Sequence, residues 1–177
     1  MENSPGNALL WSPDSSRAEH SRMAMFRNAA NAHFGVKSET LQQWSVHQPE
    51  QFWSLVWDSC GVAGEKGTTS FVPAQPDANM STARFFPDAS LSVVENLLSR
   101  TGNGEALVAI DEAGNRRVRT WDELRVRVAS IASALHGLGV AAGDRVAAWL
   151  PNSIEAIEVM LGAASVGAVF SSSSPDF

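Results

Sequence analysis

Tyrosine is absent from this chain, cysteine occurs once, and no long apolar run interrupts it. Each shortage excludes a class. A disulfide scaffold needs paired cysteines, and Cys60 stands alone. The longest uncharged apolar stretch, Val159 to Phe170, has 12 residues, against the roughly 20 that a membrane-spanning helix needs. Basic residues are scarce: 13 Lys and Arg face 19 Asp and Glu, for a net charge of −6. That balance is wrong for a protein that grips a phosphate backbone by releasing counterions. Met1 to Asn7 is polar and lacks Lys and Arg, so no secretory signal is expected and a soluble, cytoplasmic protein is the default. What is present is a 177-residue chain, 44% hydrophobic and 18% charged, the composition of an ordinary globular protein.

The texture changes along the chain. Up to about Cys60 the sequence predicts short helices rich in tryptophan. Ser12-Pro13-Asp14 is a helix start: a hydroxyl cap, a proline tolerated in the first turn, and an acid at the positive end of the dipole. The helix is expected to run to Phe34, with Phe26, Ala29, Ala30, His33 and Phe34 on one side and Gly35 as its stop. Pro49 and Glu50 open another, along which Phe52, Trp53, Val56, Trp57 and Cys60 form a single-face stripe. Filling a core is the ordinary role for such aromatics; anchoring onto something larger is the alternative. Between Gly61 and Ser90, Pro73, Pro76 and Pro87 interrupt any regular element, which predicts an extended connector. The expected organisation is a helical module with its connector over 1–90 and an α/β region over 91–177.

Within that second region strands alternate with helices. Ala106–Ile110 reads as a short strand, Asp111–Asn115 as a turn, and Arg116–Thr120 as its antiparallel partner. Thr120 and Glu123 form a capping box. The helix they open presents Leu124, Val128, Ile131, Ala132, Leu135 and Leu138 on one face, and Gly139 ends it. Arg145–Leu150 is apolar on both faces, the pattern of a central parallel strand covered on each side. Asn152 is the expected cap of the next helix, with Glu155 three residues on and Ile154, Ile157, Leu161 and Ala164 as its buried stripe. Ala168–Phe170 begins another strand after Gly167. Strand, helix, strand is the βαβ unit of a doubly wound α/β fold.

Several tempting motifs carry no chemistry. Gly137–Gly143 is glycine-rich but follows a helix and precedes a strand, the reverse of a dinucleotide fingerprint. Gly64–Thr69 lacks the spacing of a phosphate loop. His20, His33, His47 and His136 do not pair at helical spacing, so no metal site is predicted. Ser171–Ser174 has no nucleophile elbow around it. Ser174-Pro175-Asp176 does repeat the earlier helix start, immediately before the last residue, Phe177. A cap without its helix, and a two-faced strand with few helices to cover it, lead to the expectation that this is the front portion of a longer protein.

The stretch from Thr120 to Phe177, with its Gly-Asp-Arg-Val turn, its strand ending in Leu-Pro-Asn and its helix running into Gly-Ala-Val, resembles the opening of the adenylate-forming acyl-CoA synthetase family. Within the family, "SSSSPDF" is more similar to the acetoacetyl-CoA synthetase branch than to acetyl-CoA synthetases, which tend to carry Phe-Gly-Gly there. "LLWSPDSSRAEHSRMAMF", "WSVHQPEQFWSLVWDSCGV" and "FFPDASLSVVENLL" resemble the same branch. The resemblance implies an acetyl-CoA-synthetase-like front module over 1–90 and the beginning of an AMP-binding large domain over 91–177. It implies a ligase that joins acetoacetate to coenzyme A through an acyl-adenylate, using ATP, Mg²⁺ and CoA in the whole enzyme. The phosphate loop, the magnesium site and the adenylation lysine of the family lie beyond the matched region, so this stretch alone is expected to be inactive and to bind none of the three tightly. No catalytic or metal-ligating residue is carried over. Ser174, Pro175 and Asp176 fall near the family's CoA channel, although they depart from Phe-Gly-Gly, and helix capping by Ser174 stands beside that role. Small-molecule substrates are implied, with neither nucleic acid nor membrane as partner. Self-association through a bare sheet surface is a further expectation. The alternatives are the same part of an acetyl- or propionyl-CoA synthetase, or a complete non-catalytic binding protein derived from a synthetase.

Overall fold

The computed structural model describes residues 9–75 and 80–175. The chain forms two compact units, one up to Ser90 and one from Leu91.

The first unit begins with α1 (Ser15–Glu19) and α2 (Arg22–Phe34), two helices where the sequence predicts one. Asp14, not Ser12, is the first cap: its carboxylate accepts the Arg17 N–H at 2.8 Å. The break comes from Ser21, whose hydroxyl donates to the Ala18 carbonyl at 2.7 Å and accepts the Ala24 N–H at 3.1 Å. A serine that satisfies the backbone locally ends one helix and starts another. Gly35, at φ 68°, stops α2 as expected. Ala24 and Ala30 are the buried face, whereas His33 and Phe34 are exposed.

Helix α3 (Leu41–His47) was not legible, being too short to display a period. Helix α4 (Pro49–Cys60) starts at its proline and ends at Gly61, φ 63°. Its deepest residues are Leu55 and Trp57, and Cys60, expected to finish the apolar stripe, is exposed. The face is rotated because Ala30, Val36, Trp44 and Leu55 share one core cluster, with Phe26 and Phe52 against it. The Trp44 indole donates to Gln51 at 3.1 Å, so its polar edge is satisfied as well as its ring.

The connector is less irregular than its prolines suggest. Strand β1 (Phe71–Val72) pairs antiparallel with β2 (Arg84–Phe85), and Glu65 and Ser90 exchange backbone hydrogen bonds of 2.8 and 2.9 Å. Pro76 lies outside the described residues. The tryptophans of α4 hold this ladder: Trp53 meets Phe85 at 5.0 Å and Trp57 meets Phe86 at 4.9 Å between ring centroids. Phe86 sits at φ 46°, a left-handed conformation unusual for a bulky residue.

The second unit opens with α5 (Val93–Leu97), capped by Ser92. Strand β3 (Glu105–Ile110) and β4 (Arg116–Thr120) form the expected antiparallel hairpin. Helix α6 (Trp121–Gly137) carries the complete capping box: Thr120 Oγ1 accepts the Glu123 N–H at 3.3 Å and Glu123 accepts the Thr120 N–H at 2.9 Å. Leu124 and Val128 are buried, but Leu138 lies past the helix end and is exposed. Gly139, φ 85°, makes the turn.

Strand β5 (Arg145–Trp149), α7 (Ile154–Ser165) and β6 (Val169–Ser173) make the βαβ unit, with the strands parallel and paired from Arg145↔Val169 to Trp149↔Ser173. Asn152 does not cap α7. Ser153 occupies the cap position without a side-chain bond to the helix backbone; its hydroxyl goes instead to the Glu155 carboxylate, which Arg117 also holds. The expected stripe on α7 is also amended: Ile154 and Leu161 are buried and Ile157 half-buried, but Ala164 is exposed, and Glu158 is fully enclosed. Val94, Leu98, Leu124, Val128 and Leu161 form the core. Strand β5 is covered on one face, not on both: Val146 and Ala148 are half-buried, while Arg145, Ala147 and Trp149 are exposed.

Candidate functional site

Two regions of the second unit gather polar groups. The first is a charge cluster between β4, α6 and α7. Arg117 and Arg119 are two apart on β4, so their side chains leave the same face of the strand. Glu155 and Glu158 are one turn apart on α7. The two pairs match: Arg117 makes a bidentate contact with Glu155 at 2.8 and 2.9 Å, and Arg119 Nε donates to Glu158 Oε1 at 2.7 Å. Arg127 of α6 approaches the second Glu158 oxygen at 3.5 Å, and that oxygen has no hydrogen-bond partner.

Burial separates the two pairs. Glu158 is 1% exposed at its side chain, whereas Arg117 and Glu155 are 55% and 40% exposed. The Arg117 guanidinium, with help from the Glu155 N–H and the Ser153 hydroxyl, holds the Glu155 carboxyl down to about 2. Glu158 and Glu155 in turn raise Arg119 and Arg117. A carboxyl depressed on folding contributes stability that is complete above its unfolded value, near 4.5, and disappears as pH falls through about 2. We expect the urea midpoint of the wild-type chain to fall between pH 5 and pH 2 by more than that of Arg117→Gln. With both partners half in water, the difference should be about 1 kcal/mol or less. Identical acid limbs would remove the pair from the stability balance.

The second region is the carboxyl edge of the parallel pair. Ligands of open α/β sheets bind beyond the carboxyl ends of their strands. At this edge Trp149 ends β5 and Ser173 ends β6. The Leu150 N–H donates to the Ser173 carbonyl at 3.2 Å, and the Trp149 indole N–H donates to the Ser174 carbonyl at 3.1 Å. Ser174 is half-buried and Pro175 exposed; Asp176 lies outside the described residues. Of the three residues implied for CoA, the described two therefore stand together at the strand ends.

The glycine-rich segments do not fit a nucleotide. In Gly137–Gly143 four N–H groups already have acceptors: Gly139 with His136 at 2.9 Å, Val140 with Leu135 at 3.0 Å, Ala141 with the Asp144 carboxylate at 2.8 Å and Gly143 with Gly167 at 2.9 Å. In Gly64–Thr69, a Cβ on Gly67 would lie 2.7 Å from Asp88 Cβ, and the Thr68 hydroxyl donates to the Asp88 carboxylate at 3.4 Å, so an acid stands at that turn. Phosphates would meet a carboxylate or find no donor, and no step through ATP is assigned to either segment. Among the described residues no three of His, Cys, Asp and Glu group as metal ligands, and no helix is long and apolar enough to cross a membrane.

Sequence reasoning missed Glu158 and the indole clamp. The charge cluster had a signal, arginines spaced by two on a strand and glutamates spaced by three on a helix. The clamp had none, because an indole N–H reaching across two strands has no sequence period.

Comparison with known proteins follows this geometry. Residues 94–177 match the family model described as AMP-binding enzyme. The acetoacetyl-coenzyme A synthetase of Rhizobium meliloti (strain 1021) is 44% identical over 171 residues, covering 95% of this chain and 26% of the relative. The acetoacetyl-CoA synthetase of Danio rerio is 38% identical over 174 residues, covering 96% of this chain and 25% of the relative. The solved acetoacetyl-CoA synthetase from Streptomyces lividans superposes with a TM-score of 0.79 at 34% identity, over 95% of this chain and 27% of that one. The chain thus spans about a quarter of the length of the relatives it matches.

Proposed function

We propose that this chain, whose residues 94–177 match the AMP-binding enzyme family model, is the amino-terminal part of an ATP-dependent acetoacetate–CoA ligase. One observation carries the reading: the match to a solved acetoacetyl-CoA synthetase covers 95% of the chain. The reaction is acetoacetate + ATP + CoA to acetoacetyl-CoA + AMP + pyrophosphate, through an acyl-adenylate, with Mg²⁺ offsetting the phosphate charge. The part played by these residues is support. Their glycine turns are closed by their own backbone or by acids, so the phosphates belong elsewhere, and the chain by itself is inactive. Ser174, Pro175 and Asp176 are assigned to the CoA channel, at the edge where the strands of a parallel sheet present ligands.

The test compares the full-length protein carrying this chain with the 177 residues alone. Acetoacetate-dependent exchange of pyrophosphate into ATP, followed by acetoacetyl-CoA formation when CoA is added, is expected of the former and absent from the latter. A full-length protein that prefers acetate or propionate overturns the substrate assignment. Exchange by the short chain overturns its supporting role.

A further inference from the structure

The exit of β6 is held in an uncommon way. After Ser173 the next residue but one is Pro175, which has no N–H and cannot extend the ladder with β5. Beside the Leu150 N–H bond to the Ser173 carbonyl, a side chain adds a bond at this point: the Trp149 indole reaches from β5 to the Ser174 carbonyl at 3.1 Å. Trp149 is 69% exposed. The indole N–H is committed to this bond, and so it orients the Ser174–Pro175 peptide. Arg145, Ala147 and Trp149 lie on the same face as Val169, Ser171 and Ser173, because paired residues of parallel strands project together.

We infer that Trp149 is a positioning residue for coenzyme A: its indole N–H clamps the Ser174 carbonyl and so sets the orientation of the Ser174–Pro175 peptide at the carboxyl edge of the sheet. The inference rests on the CoA assignment of that segment made above. It adds a residue on a different strand, and a role that acts through the backbone rather than by direct chemistry.

The test uses the full-length protein carrying this chain. Trp149→Phe keeps a ring and deletes the donor. KM for CoA is expected to rise about three- to tenfold, the range for one hydrogen bond. Acetoacetate-dependent ATP–pyrophosphate exchange, which needs no CoA, should stay within about twofold. Trp149→His restores an N–H on a smaller ring and should recover part of the loss. Pro175→Ala and Asp176→Asn serve as the reference for the segment itself. If they raise KM for CoA and Trp149→Phe does not, the clamp is wrong and the CoA assignment stands. If none of these variants moves KM for CoA, the assignment fails and the clamp with it. Loss of exchange in both Trp149 variants would mean a merely structural residue and would also overturn the inference.

Discussion

Glu158→Ala is expected to lower the unfolding free energy of the second unit by about 3–5 kcal/mol, the cost of removing one partner from a buried ion pair. The side chain is 1% exposed and accepts the Arg119 N–H at 2.7 Å, with Arg127 behind it at 3.5 Å. Deleting the carboxylate leaves Arg119, itself 28% exposed, facing an apolar gap between β4 and α7. It also brings two like charges together without their common counterion. Against a total stability of about 5–15 kcal/mol for a small domain, that loss approaches unfolding. Glu158→Gln keeps the shape but not the charge and should fall between wild type and alanine. The informative partner is Glu158→Leu with Arg119→Met, which replaces the pair by apolar groups of similar size. Because the burial of ions is itself costly, this double variant should recover most of the stability. Urea denaturation of the single and double variants yields the coupling energy directly. A Glu158→Ala protein within about 1 kcal/mol of wild type would mean that water reaches the site and that the carboxylate is not enclosed as described.

The elements legible in advance were those whose signal is local. The β3–β4 hairpin, the Thr120–Glu123 box and the glycine stops at Gly35 and Gly139 follow from neighbours within a few residues, and the strand–helix–strand succession from β5 to β6 from the hydrophobic pattern. Caps were less secure. At Ser12 and Asn152 a residue slightly further on serves instead, Asp14 through the Arg17 N–H and Ser153 at the start of α7, where Arg117 also holds the Glu155 carboxylate. Burial was least legible where a partner came from far along the chain. Cys60 and Leu55 sit on one helix, yet α3 packs Trp44 on the Leu55 side and leaves Cys60 in water. The burial of Glu158 has no signal nearby in sequence, because its arginines lie on β4 and α6. At the candidate CoA edge, Ser174 and Pro175 were named beforehand and Trp149 was not. The strand order that brings them together is a tertiary fact.

The same α6–α7 contact that encloses Glu158 depends on a glycine, which gives the second large effect. A Cβ placed on Gly162 would lie 2.5 Å from Ile131 Cγ2 and 2.9 Å from Ile131 Cβ. Gly162 is in the interior of α7, where alanine would otherwise favour the helix by about 1 kcal/mol. Overpacking opposes that gain by about 1–3 kcal/mol, and here the encroached atoms include the branch point of isoleucine, which cannot swing away as a flexible tip could. The helices must separate, and separation also lengthens the contacts of Leu161 with the core and admits water toward Glu158. We therefore expect Gly162→Ala to destabilise the second unit by about 2 kcal/mol despite its better propensity, and Gly162→Val by more. The discriminating variant is Gly162→Ala with Ile131→Ala. The second change removes Cγ2, the nearer atom, and leaves only the Cβ at 2.9 Å, so the pair should be more stable than the sum of the single losses predicts. Strict additivity, or a Gly162→Ala protein more stable than wild type, would show that α6 and α7 do not meet at this distance, and the enclosure of Glu158 between them would fall with it.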